Sequence, residues 1–110
     1  MASDCIFCKI IAKLIPSQII TETDDILVIQ DICPQATVHY LIIPKKHVVD
    51  LMDLKDAKTA TEILFMAQKL AQGLGANSAF RLITNNGSAA GQSVFHLHFH
   101  FLAGKKLPGF

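Results

Sequence analysis

Three histidines separated by single residues are the feature of this sequence with the clearest chemical potential, His96-Leu97-His98-Phe99-His100. Side chains alternate between the two faces of a strand, so this spacing predicts three imidazoles on one face, about 6.6 to 7 Å apart. A neutral imidazole is a good nucleophile and a charged one a good acid near neutral pH. One histidine of the row could attack phosphorus while its neighbours orient it and stabilise phosphate charge. Ordinary surface or core histidines are the less favoured interpretation.

A glycine-bearing turn, Gly91-Gln92-Ser93, directly precedes these histidines. Glycine lets the backbone approach a ligand closely, and backbone N–H groups of such turns bind phosphate. A plain turn is the alternative, but the position beside the histidines favours a phosphate loop.

A Cys-x-x-Cys motif, Cys5-Ile6-Phe7-Cys8, offers the competing chemistry of metal binding. Thiolates and imidazoles together form Cys₂His₂ zinc sites, and the chain also carries His39 and His47. A thioredoxin-like redox function is disfavoured because no βαβ pattern surrounds the motif. Cys33 has no partner motif and is predicted to be a small buried residue.

The elements that must position these groups follow from periodicity and turn residues. We predict a short helix within Cys5–Ile15, a hairpin of Gln18–Glu22 and Ile26–Gln30, a strand over Val38–Ile43, a helix over Leu54–Gln72 capped by Asp53, and strands over Phe80–Thr84 and Ser93–Leu102. Most joins between strands are too short for βαβ crossovers. The prediction is therefore an α+β fold, an antiparallel sheet with one long helix.

The apolar residues of the long helix extend beyond a single stripe. Ala60, Leu64, Ala67, Ala71 and Leu74 mark one face, and Ile63, Phe65, Met66 and Leu70 widen it. A helix that is apolar on two sides is usually buried on two sides. The pattern leaves open whether the second side faces the same core or another subunit.

Composition limits the classes of function. The chain has 110 residues, 51% of them hydrophobic, and a net charge of +1. This predicts one domain over residues 1–110 that has a real core and does not bind nucleic acid. No apolar run is long enough to span a membrane, and no secretory signal is visible, which predicts a cytoplasmic protein. Three cysteines argue against a disulfide framework.

Several ordered segments resemble the histidine triad (HIT) superfamily, and within it the Hint branch. The central one is His96-Leu97-His98-Phe99-His100-Phe101-Leu102. The others are Ile6-Phe7-Cys8-Lys9-Ile10-Ile11, Asp31-Ile32-Cys33-Pro34-Gln35-Ala36, Ile43-Pro44-Lys45-Lys46-His47 and Gly91-Gln92-Ser93-Val94-Phe95-His96. The resemblance spans about Cys5 to Gly104 and implies a HIT-like fold.

The resemblance also implies a role for each matching polar residue. His98 matches the nucleophile that becomes nucleotidylated, and His100 matches the contact to the α-phosphate. His96 and His39 match histidines that complete the polar cluster, and Ser93 matches a hydroxyl near the leaving group.

Further matches imply a nucleotide pocket. Asp31 matches the carboxylate that binds the ribose hydroxyls, a role that one carboxylate can fill because it accepts two hydrogen bonds. Gly91 and Gln92 match the phosphate loop, and Asn85 matches a polar contact to the nucleotide. The apolar purine slot is matched by Phe7, Ile10, Ile32 and Leu41.

Bacterial Hint-like proteins that keep Cys-x-x-Cys resemble this chain at a zinc site as well. The matching ligands are Cys5, Cys8, His47 and His96. Four protein ligands leave no open position, so the resemblance implies structural Zn²⁺ and no catalytic metal. It also implies a homodimer joined through the long helix. The C-terminal Leu107-Pro108-Gly109-Phe110 lacks the tryptophan of eukaryotic Hint tails, which affects the expected leaving group.

The function that the resemblance implies is a purine nucleoside phosphoramidase, which forms AMP or GMP through a nucleotidyl-His98 intermediate. A Fhit-like dinucleoside polyphosphate hydrolase is the nearest alternative, and the Gly91-Gln92-Ser93 segment favours Hint. A nucleotidyltransferase of the galactose pathway would need a larger chain. A non-enzymatic nucleotide- or zinc-binding interaction protein is the third alternative.

Overall fold

The computed structural model describes residues 4–75 and 78–109. In these ranges the chain forms two α-helices and five strands: α1 (Ile6–Ile11), β1 (Ile19–Glu22), β2 (Ile26–Gln30), β3 (Val38–Pro44), α2 (Ala57–Gln72), β4 (Phe80–Ile83) and β5 (Phe99–Ala103). Short 3₁₀ turns occupy Leu51–Asp53 and Ser88–Ala90. Phe110, in the predicted tail, lies outside the described residues.

The strands form one antiparallel sheet in the order β1-β2-β3-β5-β4. This confirms the predicted α+β class and the hairpin of β1 and β2. The central strand β3 pairs with β2 on one side and with β5 on the other, where Leu41 lies opposite His100. Strand β3 therefore lies between β2 and β5, the strand that carries His100.

Both faces of the sheet are covered, and β2 and β3 are accordingly apolar at nearly every position. Ile26 and Val28 of β2 pack in one core with α2, whereas Leu27 and Ile29 pack in a second core with α1. Successive strand residues point to opposite faces, which explains the division. Leu41 belongs to the α1 core, so the α1 face also carries His100.

The long helix starts later than predicted. Asp56 caps α2, accepting a hydrogen bond from the backbone N–H of Lys58 at 3.1 Å, and not Asp53. Asp53 lies in a 3₁₀ turn, and its carboxylate accepts from the N–H of Val49 at 2.9 Å. The prediction of Asp53 was wrong because this local contact with Val49 occupies the carboxylate, and Asp56 is an equally good N-cap.

The buried stripe of α2 also differs from the predicted one. Ile63, Met66, Ala67 and Ala71 are buried, at the i, i+3, i+4, i+8 spacing of a single helix face. Leu64, predicted on the inner face, is 57% exposed, and its neighbour Phe65 is 60% exposed. The helix therefore has a second apolar surface that this chain leaves uncovered.

The last strand begins at Phe99, and the prediction of a strand from Ser93 was wrong. In the preceding segment the N–H of Leu97 donates to the carbonyl of Val48 at 2.8 Å, and Thr84 Oγ1 donates to the carbonyl of His98 at 3.0 Å. These bonds replace a sheet ladder and turn the chain. Phe95, which a regular strand would direct to the face opposite the histidines, is consequently 48% exposed.

Helix α1 lies within the predicted range of Cys5–Ile15 and ends at Ile11, because Lys13 adopts a left-handed conformation with φ of 64°. Leu14 is left 75% exposed. Cys33, predicted to be buried, is exposed in the connection after β2. In the part of the chain that the structure describes, no helix is both long and apolar enough to cross a membrane.

Candidate active site and metal cluster

A cavity of about 870 Å³ opens between α1, the end of β2 and the histidine segment, His96–His100. Its size is in the range of small-molecule and cofactor pockets. It gathers every residue of the predicted nucleotide site: Phe7, Ile10, Asp31, Ile32, Leu41, Asn85, Gly91, Gln92, Ser93, His98 and His100. Residues separated by up to about ninety positions in the sequence thus share one cavity.

The cavity has an apolar side and a polar side. Phe7 and Ile10 of α1 and Leu41 of β3 are buried and form an apolar floor. Ile32, at the start of the connection after β2, is 92% exposed and lies at the rim. The histidines and Asp31 form the polar side, so a ligand with a flat apolar ring and a polar end would match both.

His98 presents one unprotonated nitrogen because a backbone carbonyl binds the other. Its Nδ1 lies 2.7 Å from the carbonyl oxygen of His96. A carbonyl can only accept, so Nδ1 carries the hydrogen and Nε2 carries the lone pair. Phe7 packs edge-on against the ring, with centroids 5.0 Å apart, and fixes its orientation. The geometry leaves Nε2 of His98 with a lone pair that could act as a nucleophile.

His100 has the opposite tautomer. The N–H of Gln35 donates to Nδ1 of His39 at 2.9 Å, so the hydrogen of neutral His39 must be on Nε2. That Nε2 lies 2.9 Å from Nδ1 of His100, which must therefore accept. The hydrogen of His100 is on Nε2. The two adjacent rings, with centroids 5.3 Å apart, thus supply one lone pair and one N–H donor.

Burial keeps these imidazoles neutral. It lowers the pKa of His98, and the only opposing effects are the bond to the His96 carbonyl and the charge of Asp31. It also lowers the pKa of His100, helped by the neighbouring His98 and His39. The pKa of His39 is lowered by burial as well, against the pull of Asp31. A histidine with a lowered pKa keeps its lone pair at neutral pH.

The glycine loop differs in detail from the expected phosphate cradle. The N–H of Gly91 donates to the Ser88 carbonyl at 3.0 Å, and that of Gln92 to the Gly87 carbonyl at 3.1 Å. The Gln92 side chain is also committed, since its Nε2 donates to the carbonyl of Val49 at 2.7 Å. The prediction that the backbone N–H groups of Gly91 and Gln92 are available to phosphate is therefore corrected, because both donate to carbonyl groups of the same turn.

Ser93 is left as the polar group of this loop that can reach a ligand. It is exposed and lines the cavity, and within the described residues neither its N–H nor its hydroxyl has a hydrogen-bond partner. Gly91 adopts φ of 97°, which a side chain rarely tolerates, and its turn sets the direction of Ser93.

His96 lies in a second cluster, behind the cavity, together with Cys5, Cys8 and His47. The four candidate ligand atoms all lie within 4.8 Å of one another. Nδ1 of His96 is 3.3 Å from Cys5 Sγ, 3.5 Å from Cys8 Sγ and 3.1 Å from Nδ1 of His47. Cys8 Sγ is 3.2 Å from Nδ1 of His47. This group could hold a metal ion.

The chemistry of the donor set fits a metal. Nε2 of His96 lies 2.7 Å from the carbonyl oxygen of Pro44, so it carries the hydrogen and leaves Nδ1 bare toward the cluster. Tetrahedral zinc with usual bond lengths separates its ligand atoms by roughly 3.3 to 3.8 Å. Four of the six separations are 3.1 to 3.5 Å, close to this range, and the other two do not exceed 4.8 Å. Side chains from α1, the loop after β3 and the histidine segment meet here.

Two orienting groups were not found from the sequence. The N–H of Gln35 and the carbonyl of Pro44 decide the tautomers of His39 and His96. Both are backbone groups, so no side-chain pattern could reveal them. Ile15, Ile29 and Val94, which also line the cavity, were missed because they look like ordinary core residues.

Comparisons with known proteins agree with this architecture. Residues 12–107 match the HIT domain. The chain is 45% identical to an uncharacterised HIT-like protein of Synechocystis sp., over 96% of this chain and 94% of that protein. A HIT family hydrolase from Clostridium thermocellum superposes with a TM-score of 0.93 at 43% identity, covering 100% of this chain and 98% of that one.

A histidine triad protein from Clostridium difficile gives the same TM-score of 0.93 and 43% identity, with the same coverage of 100% and 98%. The agreement therefore extends over sequence, fold and nearly the full length of the relatives. The protein belongs to the HIT domain family.

Proposed function

We propose that this protein is a purine nucleoside 5'-phosphoramidase of the Hint branch, which forms a nucleotidyl intermediate on His98. The observation that carries the proposal is the pair of opposite tautomers at the polar end of the cavity. His98 offers a bare Nε2 and His100 offers an Nε2–H, each determined by a chain of bonds to a backbone group. Attack on a phosphate needs both a nucleophile and a donor to the phosphate oxygens.

The first step forms a bond between His98 Nε2 and the α-phosphorus and breaks the P–N bond. The amine leaves with the bonding electron pair and takes up a proton from solvent. The Nδ1–H of His98 continues to donate to the His96 carbonyl at 2.7 Å, which stabilises the positive charge that the ring acquires. His100 Nε2–H and Ser93 hold the phosphate oxygens and the region of the leaving group.

The second step releases the nucleotide. Water attacks phosphorus and releases a proton to solvent, the P–Nε2 bond breaks, and its electron pair returns to His98. The products are a nucleoside 5'-monophosphate and the regenerated imidazole. Because His98 remains neutral in its buried position, it is ready for the next turnover.

The remaining residues of the cavity bind the nucleoside in this proposal. The purine would lie on Phe7, Ile10 and Leu41, with Ile32 at the rim. Asp31 would accept from the ribose hydroxyls, and Asn85 would contact a polar group of the nucleotide. Gly91 and Gln92 contribute through the shape of the turn.

We also propose that the cluster of Cys5, Cys8, His47 and His96 binds structural Zn²⁺. The metal would tie α1 to the segment that carries His98. The metal would hold the apolar floor and His98 in fixed positions relative to each other, and it would take no part in the chemical steps. The thiols are free, which fits a reducing, cytoplasmic location.

The substrate class is tested by incubating the purified protein with adenosine 5'-phosphoramidate. We expect release of AMP and ammonia with multiple turnovers. A diadenosine polyphosphate, offered at the same concentration, should be cleaved at least about 100-fold more slowly, since the reaction is proposed for P–N bonds. The opposite preference would replace the proposal by a Fhit-like hydrolase. Binding of AMP without cleavage of either compound would favour a nucleotide-binding interaction protein.

We further propose a homodimer formed through the outer face of α2. Leu64 and Phe65 are 57% and 60% exposed there, opposite the buried stripe of the same helix. Large apolar side chains on an outer helix face are typical of a subunit interface.

Changing Phe65 to glutamate should break the proposed dimer. A carboxylate buried in an apolar interface is costly, so we expect the dissociation constant to rise by about 100-fold or more. Sedimentation at micromolar concentration measures this. Gln72→Glu, which adds the same charge at an exposed polar position of α2, is the matched control and should stay dimeric. A wild-type monomer would contradict the proposal.

A further inference from the structure

We propose that His39 is a positioning residue that couples the capture of ribose at Asp31 to the binding of phosphate at His100. The inference rests on the proposed function, since it assigns an internal link to the same site. His39 is buried, with an exposed fraction of 3%, and lies behind the cavity. It therefore acts through its neighbours.

The backbone holds the three residues in one row. The N–H of Asp31 donates to the carbonyl of His39 at 3.0 Å, which joins the end of β2 to β3. His39 lies opposite Leu102 and Leu41 opposite His100 in the pairing of β3 with β5. His39 and His100 are thus diagonal neighbours on one face of the sheet. Their placement does not depend on flexible side chains.

The Nε2–H of His39 faces two acceptors. It lies 2.9 Å from Nδ1 of His100 and 3.3 Å from Oδ2 of Asp31. Oδ1 of the same carboxylate already accepts from the N–H of Cys33 at 2.8 Å. One hydrogen is therefore shared between the residue proposed to bind ribose and the residue proposed to bind phosphate.

The three side chains are close enough to be considered as a metal site, but the hydrogen-bond pattern argues for a relay. Nδ1 of His39 accepts from the N–H of Gln35, so it has no hydrogen. The hydrogen of the neutral ring must be on Nε2, which leaves that atom no lone pair for a metal. In the cluster of Cys5, Cys8, His47 and His96, by contrast, the Pro44 carbonyl leaves Nδ1 of His96 bare.

Ribose binding changes the competition for this hydrogen. When ribose hydroxyls donate to Asp31, the carboxylate becomes a weaker acceptor for His39. The Nε2–H of His39 then bonds to His100 alone, and this holds His100 with its own Nε2–H directed to the phosphate. Recognition of the sugar should therefore strengthen a hydrogen bond that acts on the reacting group.

The kinetic consequence is an effect of the sugar on kcat as well as on KM. Compared with adenosine 5'-phosphoramidate, the 2',3'-dideoxy analogue should have about a tenfold lower kcat, the change expected for one net hydrogen bond. In Asp31→Asn the two substrates should have the same kcat and nearly the same KM. In His39→Gln they should have the same kcat, while the difference in KM remains because Asp31 still binds ribose.

This split between kcat and KM separates the relay from simple binding. If Asp31 only holds the sugar, the wild type should show the dideoxy effect in KM alone, and His39→Gln should discriminate as the wild type does. Either result would overturn the coupling and leave the proposed function standing.

A spectroscopic measurement on the wild type does not depend on turnover or on the folding of a variant. Nitrogen-15 NMR of the ring nitrogens should show His39 and His100 both with bare Nδ1 and protonated Nε2. Adding AMP should shift His39 Nε2–H toward a stronger hydrogen bond, and 2',3'-dideoxy-AMP should not. A hydrogen on Nδ1 of His39, or equal shifts with both nucleotides, would refute the relay. The AMP shift without phosphoramidate cleavage would support the relay and refute the proposed reaction.

Discussion

Replacing His98 by alanine should lower the rate of AMP release from adenosine 5'-phosphoramidate by about 10⁴-fold or more. The variant lacks the nitrogen that forms the bond to phosphorus, and no other ring can replace it. His100 lies beside it, but its Nδ1 accepts from His39 and its Nε2 carries a hydrogen. Single-turnover and steady-state assays with the same enzyme stock would measure the loss.

Comparing His98→Ala with His100→Asn distinguishes the loss of the proposed nucleophile from a change in the proposed phosphate-binding donor. Asparagine retains an N–H donor, so we expect a smaller loss, about 10² to 10³-fold, as for a donor that stabilises phosphate charge. Wild-type samples quenched rapidly in alkali, where a P–N bond to histidine survives, should carry a nucleotidyl adduct at His98, detectable by mass spectrometry. Full activity of His98→Ala, or an adduct on another residue, would remove His98 as the nucleophile. Binding of AMP by His98→Ala would show that the pocket is intact.

Changing Cys5 to serine should remove bound zinc and lower the melting temperature by about 15 °C or more. The proposed metal connects α1 with the loop after β3 and the histidine segment, and loss of a structural metal costs several kcal/mol. Serine is itself a good N-cap, and Cys5 Sγ caps α1 by accepting from the Cys8 N–H at 3.3 Å. The substitution therefore preserves the helix cap and isolates the effect of the metal.

Cys33→Ser is the matched control, because Cys33 is exposed and lies outside the cluster. It should retain zinc and the wild-type melting temperature. Metal analysis of protein purified without added zinc, together with calorimetry, gives both quantities. Equal metal content in the wild type and in Cys5→Ser would contradict the zinc site. A thermal shift equal in the two cysteine variants would show that the thiols matter for another reason.

The fold class could be predicted from local patterns because the strands are short runs rich in β-branched or aromatic residues and are separated by turn residues or the long helix. Ile26–Gln30 and Val38–Pro44 are apolar at almost every position, and the structure buries both of their faces. Helix boundaries were less accurate. Asp53 and Asp56 are equivalent as caps in sequence, and only the contact with Val49 distinguishes them.

The histidine row shows the limit of the strand argument. Spacing predicted that His96, His98 and His100 would share one face, as in a regular strand. The structure keeps His98 and His100 adjacent, but fully buries His96 beside Cys5, Cys8 and His47. The Val48 carbonyl and the Thr84 hydroxyl bind this segment and prevent a continuous ladder.

The sequence by itself determined which reactive groups the chain has and which motifs carry them, and through these its place in the HIT family. It could not determine which nitrogen of each imidazole bears the hydrogen. That depends on three backbone groups: the distant carbonyl of Pro44 for His96, the nearby carbonyl of His96 for His98, and the nearby N–H of Gln35 for His39. A carbonyl only accepts and an N–H only donates, so the folded backbone decides which nitrogen of each chemically identical ring keeps its lone pair and which carries the hydrogen.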